Sequence, residues 1–274
     1  MHIHVVGGAS ASCGDVVEAL SRLYRLDPMP PHFFLAYDIL YEPENTDITV
    51  LLDDRGNVDS YVLVWRGLGV YGIHLWGRRA CELLNYDSVE RGKTIYVHLY
   101  TADDNAITCT LKWLKGLGAS SAEVRWYHEM ICTRELFKSS GSEGIVTRLG
   151  AEHSDLFAEF MRFRGVEVDV DTARRILASR QYHAVIINNE IVSAGAICNK
   201  LPEVSLICDV YTKPSYRGRR YATAVTSSLT KIVVNSGSKA LLYVEARNEP
   251  AKRIYTKLGY RITRTLPWIV AKLE

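Results

Sequence analysis

The chain has 274 residues, of which 47% are hydrophobic and 23% are charged, and its formal net charge is +2. This composition is typical of a soluble globular protein with enough apolar residues for one large or two ordinary domains. So small a net charge excludes a general attraction to nucleic acid or anionic membranes, and any anion site has to be local. The sequence shows neither a signal peptide nor a membrane span. We therefore expect a cytoplasmic protein that binds neither nucleic acid nor membrane.

The six cysteines show no CxxC pair and no metal-ligand spacing, and most lie inside apolar runs. They are Cys13, Cys81, Cys109, Cys132, Cys198 and Cys208. This pattern favours buried thiols in a reducing compartment, with disulfides as the alternative in an oxidising one. His2 and His4 form an isolated HxH pair, which is better explained by a strand end at the surface than by a ligand set. No metal is expected.

Helical and strand-like periodicity alternate along the first half of the chain. Predicted helices cover residues 14–25, 31–41 and about 104–116, and predicted strands cover 47–54, 60–66, 71–76, 94–101 and 121–128. A serine- and glycine-rich stretch, 138-KSSGSEG-144, follows and predicts a linker between domains.

The second half repeats the alternation. Predicted strands cover 145–149, 182–188, 191–198, 204–212 and 239–246, and 260–273 forms two strands broken near Pro267; predicted helices cover 151–163, 170–180, 217–235 and 248–258. The segments 99-LYT-101 and 210-VYT-212 both precede a predicted helix, which favours an internal duplication. We therefore predict two domains of related α/β (α+β) fold, residues 1–140 and 141–274.

A basic turn, 213-KPSYRGRRYATAV-225, lies between a predicted strand and a predicted helix. A helix N-terminus offers unpaired N–H groups and partial positive charge, which together attract anions. Arg217, Arg219 and Arg220 add full charges, and Gly218 allows close approach of the backbone. The turn therefore predicts a phosphate or pyrophosphate site. A solvated basic loop is the alternative, whereas a nucleic-acid patch would need more basic and aromatic residues.

Residues 204–259 resemble the core of the GNAT N-acetyltransferase superfamily, in which a strand leads into a loop of pattern [QR]-x-x-G-x-[GA] and then into a helix. The corresponding loop is 217-RGRRYA-222, in which Arg220 replaces the central glycine. The resemblance implies acetyl-CoA as co-substrate, with its pyrophosphate on the turn and the first helical residues. The implied cofactor-binding residues are Val210, Tyr211, Thr212, Arg217, Gly218, Arg219, Arg220, Tyr221, Ala222, Thr223 and Asn248. Among these, the backbone of 210–212 would pair with the pantetheine arm and stabilise the oxyanion.

A second segment, 248-NEPAKRIYTKLGY-260, is similar to the family pattern N-x-x-A-x-x-x-Y-x-x-x-G-[FY]. By this resemblance Asn248 contacts the CoA arm, and Tyr255 protonates the departing thiolate as general acid. The alternative for Tyr255 is a core aromatic residue on an amphipathic helix. The resemblance implies two GNAT-like domains, each with a mixed, mostly antiparallel twisted sheet flanked by helices.

The general base is less well defined by the sequence. Many GNAT relatives carry a glutamate at positions that hold Leu206 and Tyr243 here, and neither is a base. Asp209 is a nearby carboxylate, but in a regular strand it would face away from Leu206. A bulge would re-aim Asp209 toward the site, and a solvent-exposed strand-end residue is the alternative. An α-amine acceptor would need no strong base, because its pKa is about 7.7–8.0.

The first half matches the basic turn with 101-TADDNA-106, where Asp103 and Asp104 would repel a pyrophosphate. We therefore predict a degenerate first copy and an active C-terminal copy, as in tandem-GNAT proteins and glycine-N-acyltransferase-like enzymes. The predicted activity is transfer of an acyl group, expected to be acetyl, to a small-molecule or peptide amine. A non-catalytic CoA- or partner-binding module and an aminoacyl-tRNA-dependent transferase are the alternatives. The sequence leaves a homodimer open.

Overall fold

A computed structural model describes residues 2–6, 13–26, 32–67, 70–85, 89–90 and 92–274. The chain divides into two compact units. The first comprises Met1–His128, Glu245–Arg247 and Arg264–Glu274, and the second comprises Glu129–Val244 and Asn248–Thr263. The domains predicted at 1–140 and 141–274 differ from these units in three places, one of which is the short segment Glu245–Arg247 in the first unit. Residues 129–140 lie in the second unit, and residues 264–274 lie in the first.

The first unit has a mixed, mostly antiparallel sheet and three α-helices among its described residues. Its helices are α1 (Cys13–Leu26), α2 (His32–Tyr41) and α3 (Asp104–Gly116). Its strands are β1 (His2–Val6), β2 (Thr46–Leu52), β3 (Val58–Arg66), β4 (Val70–Trp76), β5 (Thr94–Leu99) and most of β6 (Ala119–Cys132). Strands β1 and β2 are parallel, as are β4 and β5, and the last residues of the C-terminal strand pair antiparallel with β5.

The second unit follows the same plan. Its strands are β7 (Thr147–Arg148), β8 (Gln181–Ile187), β9 (Glu190–Lys200), β10 (Val204–Thr212), β11 (Lys239–Glu245) and the start of β12 (Arg261–Leu273). Its helices are α4 (Ser154–Phe163), α5 (Val170–Ser179), α6 (Tyr221–Asn235) and α7 (Glu249–Lys257). Strands β7 to β10 are antiparallel, and β10 and β11 are parallel. The predicted fold class, two mixed α/β units, is confirmed.

The sheet of the second unit has a helix layer on each face. Alternate side chains of β8 and β9 point to opposite faces. Val185 and Ile197 pack with α6 and α7 on one face, whereas Tyr182 and Ala194 pack with α4 and α5 on the other. This division matters for the site, because consecutive residues of β10 also point to opposite helix layers.

Three predicted elements differ from those in the structure. Helix α6 begins at Tyr221 rather than 217, because Gly218 and Arg220 have φ values of +79° and +63° that end any helical turn there. The predicted break near Pro267 is absent, and β12 is one strand, since a proline removes only one ladder hydrogen bond. The strand predicted at 145–149 is reduced to Thr147–Arg148.

Four cysteines form two disulfides, so the expectation of free thiols was wrong for them. Cys81 pairs with Cys109, and Cys198 on β9 pairs with Cys208 on the adjacent β10. Among the described side chains, Cys132 is the free and buried thiol. Pairs separated by 28 and 10 residues carry no sequence signal, because their proximity depends on the fold.

Within the described part of the chain, no α-helix combines the length and the apolar character needed to cross a membrane.

Candidate active site

A wedge opens between the two parallel strands of the second unit. Strands β10 and β11 pair only at their beginnings, from Val204 opposite Lys239 to Leu206 opposite Leu241. Beyond Leu206 the pairing stops, although β10 continues to Thr212. The N–H and C=O groups on that edge of β10 are therefore available to an extended ligand lying in the wedge.

A large cavity of about 880 Å³ lies at the wedge, entirely within the second unit. Its volume falls in the range of small-molecule and cofactor sites. The wall includes most of the residues that the sequence predicts for cofactor binding and the predicted general acid. They are Val210, Tyr211, Thr212, Arg217, Gly218, Arg220, Tyr221, Ala222, Thr223, Asn248 and Tyr255.

The basic turn forms the end of the cavity at the N-terminus of α6. Its two positive φ values, at Gly218 and Arg220, turn successive N–H groups toward one side. No side chain caps α6, so the first-turn amides of residues 221–223 keep their partial positive charge. Arg220 occupies the position where the family pattern has glycine. The family pattern has glycine there because the backbone is left-handed. This conformation costs a residue with a side chain, such as Arg220, about 1–2 kcal/mol.

The three residues that end β10 separate the cavity from the opposite helix layer. Val210 packs in the α6 and α7 layer, whereas Tyr211 packs in the α4 and α5 layer. Thr212 bonds Ser193 through its hydroxyl at 2.7 Å. Its carbonyl oxygen accepts a hydrogen bond from Arg217 Nε at 3.3 Å. The strand end and the basic turn are thereby fixed to each other.

Arg219 lies apart from the other two arginines of the turn. It is exposed, outside the cavity wall, and its guanidinium lies 5.5 Å from the ring centroid of Tyr216. Arg217 and Arg220 both line the cavity. The side chains of Arg217 and Arg220 are therefore the better placed to contact an anion, and a role for Arg219 stays a prediction.

Helix α7 contributes Asn248 and Tyr255 to the cavity wall. Asn248 caps the helix, because its Oδ1 accepts a hydrogen bond from Ala251 N at 3.2 Å. Tyr255 is 7% exposed, and burial raises the pKa of its hydroxyl to about 12. The phenol therefore keeps its proton at neutral pH and can act as a donor.

Asp209 lies at a bulge in β10, where it has a φ of +55° and the register with β9 shifts by one residue. Its carboxylate accepts hydrogen bonds from the Tyr182 hydroxyl at 2.5 Å and from Arg164 at 3.5 Å. Burial and the charge of Asp209 raise the pKa of Tyr182 well above its ordinary value. The bulge is present, but Asp209 is not among the residues that line the cavity, so its role as general base stays a prediction. Sequence reasoning missed both partners of its carboxylate.

The stretch predicted as a linker forms a wall of the cavity. Lys138, Ser139, Ser140 and Ser142 line it. Burial works to raise the pKa of Glu143, but hydrogen bonds from Ser227 on α6 and from Ser139 outweigh it and hold that pKa at about 2. The segment of small polar residues that predicts a flexible linker is therefore held against α6 through the Glu143 carboxylate.

The first unit lacks the wedge of the second. Its parallel strands β4 and β5 pair along their whole length, from Val70 opposite Thr94 to Leu75 opposite Leu99. Between them the described residues form a short 3₁₀ turn, Ala80–Leu83, where the second unit has α6. By this topology α3 corresponds to α7, so the match of 101-TADDNA-106 with the basic turn was wrong. Asp103 instead caps α3, as Asn248 caps α7.

Comparisons with known proteins agree with this geometry. The family model described as FR47-like protein matches residues 186–269. Among solved structures, a Drosophila protein is similar with a TM-score of 0.71 at 11% identity, covering 95% of this chain and 97% of its own. A GCN5-related N-acetyltransferase-like protein from Streptococcus suis has a TM-score of 0.61 at 15% identity, with 93% and 99% covered. No curated protein matches the chain.

A tandem GNAT protein from the clavulanic acid biosynthesis pathway is also similar, with a TM-score of 0.56, 11% identity and 94% of each chain covered. At these identities the likeness establishes the fold. The chain has the GNAT fold. The likeness extends over both units, in agreement with the two copies of related fold that the sequence predicted.

Proposed function

We propose that the protein is an acyl-CoA-dependent N-acyltransferase, with acetyl-CoA as donor and an amine as acceptor. The observation that carries this proposal is the cavity of the second unit. It combines an open strand edge, a basic helix N-terminus and a buried phenol in one wall. These three features suit the three parts of an acyl-CoA, namely its pantetheine amides, its pyrophosphate and its thioester.

Each part of the reaction has a candidate residue. The pyrophosphate would lie on the α6 amides beside Arg217 and Arg220, and the pantetheine arm would pair with the β10 edge. The acceptor nitrogen attacks the thioester carbonyl carbon, so that a C–N bond forms and the C–S bond breaks. Tyr255 donates its proton to the departing sulfur, and the amine releases a proton to Asp209 or to water.

The first unit is proposed to bind no CoA. Its fully paired β4 and β5 leave no open edge, and the Asp103 carboxylate accepts a hydrogen bond from Asn105 N at 2.9 Å at the start of α3. A role in acceptor recognition remains a proposal for this unit. Separating the halves at residue 141 would not test it, because residues 129–140 belong to the second unit and residues 264–274 to the first.

The direct test is thiol release from acetyl-CoA by the full chain in the presence of a panel of primary amines. We expect amine-dependent thiol release with a matching N-acetylated product in the mass spectrum. Tight CoA binding without thiol release for any amine would instead support a binding module. Absence of thiol release together with transfer of an amino acid from charged tRNA to the amine would support the aminoacyl-transferase alternative.

The role of Asp209 as proton acceptor gives a pH-dependent prediction. In Asp209→Asn the amide oxygen can still accept the Tyr182 hydrogen bond, but the group no longer takes a proton. With an α-amine acceptor we expect turnover to fall about 10²-fold at pH 7. The defect should shrink to a few fold at pH 9.5, because the amine, with a pKa of about 7.7–8.0, is then already neutral. A defect of equal size at both pH values would assign Asp209 to holding the bulge instead.

A further inference from the structure

A second basic wall lies in the same cavity, away from the turn at α6. It is formed by Lys138, Arg253 and Lys257. Arg253 and Lys257 lie one helical turn apart on α7, so their side chains point in the same direction. Lys138 N donates to Leu258 O at 3.0 Å, which places Lys138 beside the end of that helix. Three cations are thus grouped at the C-terminal end of α7.

These three cations are available to a ligand. All three are exposed, and none forms an ion pair within the part of the chain that the structure describes. Lys252, one residue from Arg253, is instead paired with Glu249 at 2.6 Å and lies outside the cavity wall. Like charges grouped on one wall destabilise the protein slightly unless an anion is bound.

The backbone around Lys138 is held in place. The backbone at Gly259 approaches the segment just before Lys138 so closely that a Cβ at residue 259 would lie 1.9 Å from Leu136 O. On the other side of Lys138, Ser140 N donates to Ser227 Oγ at 3.0 Å. The backbone on either side of Lys138 is therefore fixed, by Gly259 just beyond α7 and by the Ser227 side chain on α6, which favours a preorganised anion site.

We infer that this basic wall, defined by Lys138, Arg253 and Lys257, is a subsite for the 3′-phosphate of CoA, an inference that rests on the proposed function. The basic turn accounts for the pyrophosphate and leaves the third phosphate of the ligand without a partner. A phosphomonoester carries a charge of about −1.5 to −2 at neutral pH, which suits two or three lysine and arginine side chains. The subsite gives the protein a means of selecting CoA thioesters over other pantetheine thioesters.

The test compares CoA with 3′-dephospho-CoA by calorimetry, using the full chain and low salt. We expect the wild type to bind CoA at least about tenfold more tightly, since charge-assisted hydrogen bonds are lost with the phosphate. In the double variant Lys138→Ala/Lys257→Ala, the preference for CoA over 3′-dephospho-CoA should fall to about twofold. The affinity for 3′-dephospho-CoA should stay unchanged. Arg253→Ala should lower the preference part of the way, and raising the salt should lower it in the wild type.

The matched control is Lys252→Ala, which removes a paired lysine from the same helix and should keep the full preference. Equal affinity of the wild type for both ligands would overturn the subsite alone. The same would follow if the double variant lost affinity for both ligands by the same factor. Failure of the wild type to bind either ligand would overturn the proposed function as well.

Discussion

Replacing both cavity-lining arginines, Arg217→Glu/Arg220→Glu, is expected to weaken CoA binding by at least about 100-fold. Each arginine can give a charge-assisted hydrogen bond worth about 1.5–3 kcal/mol, and each new carboxylate repels the pyrophosphate. The loss of two such contacts corresponds to two or more factors of ten in affinity. Calorimetry of the wild type should give one CoA per chain, and the variant should show no second site.

A matched control changes the charge by the same amount at a distance. Lys231→Glu/Lys239→Glu alters two exposed lysines, one farther along α6 and one at the start of β11. We expect this control to bind CoA within a few fold of the wild type. Equal losses in both variants would mean that the effect is general electrostatics, and the basic turn would no longer be assigned to the pyrophosphate.

Arg220→Gly separates the backbone of the turn from its side chain. Glycine adopts the observed φ of +63° without steric cost, so the amide arrangement should survive and the free energy of unfolding should not fall. The free energy of CoA binding should then weaken by about the contribution of one charge-assisted hydrogen bond. This variant tests whether Arg220 offsets its strained position by contacting the ligand.

The parts of the site that the sequence predicts are those encoded by adjacent residues. The strand before the turn, the turn itself and the Asn248 cap each depend on fewer than ten consecutive residues. Local propensity and charge are enough to identify such features. The start of α6 was misplaced because the helix-compatible residues at 217–220 adopt two left-handed conformations that only the folded turn imposes.

The parts that the sequence does not predict depend on contacts between distant residues. Glu143 holds the 138–144 segment through Ser227, which lies 84 residues away in the chain. The partners of Asp209, Tyr182 and Arg164, are 27 and 45 residues away. The correspondence of α3 with α7 likewise follows from strand pairing. The short sequence similarity between 99-LYT-101 and 210-VYT-212 had instead matched α3 with α6.

The second large effect is expected at Tyr255. Tyr255→Phe removes only the hydroxyl, so the ring still packs in the core beside Tyr260, whose ring centroid is 5.9 Å away. We expect CoA affinity and melting temperature to stay close to wild type. The turnover number should fall about 10²-fold or more, because the thiolate would leave without a positioned proton donor.

The pH profile separates this role from simple packing. Burial raises the pKa of Tyr255 to about 12, so the phenol remains protonated, and therefore able to donate, across the range from pH 6 to pH 10. Wild-type turnover should rise with pH as the acceptor amine loses its proton, without a decline caused by Tyr255 below pH 10.

Tyr260→Phe is the matched control, because it removes a buried hydroxyl that bonds Thr230 at 2.7 Å outside the cavity wall. That control should lower stability by about 1 kcal/mol and leave turnover intact. Wild-type turnover in Tyr255→Phe would show that Tyr255 is only a core residue and that water protonates the thiolate.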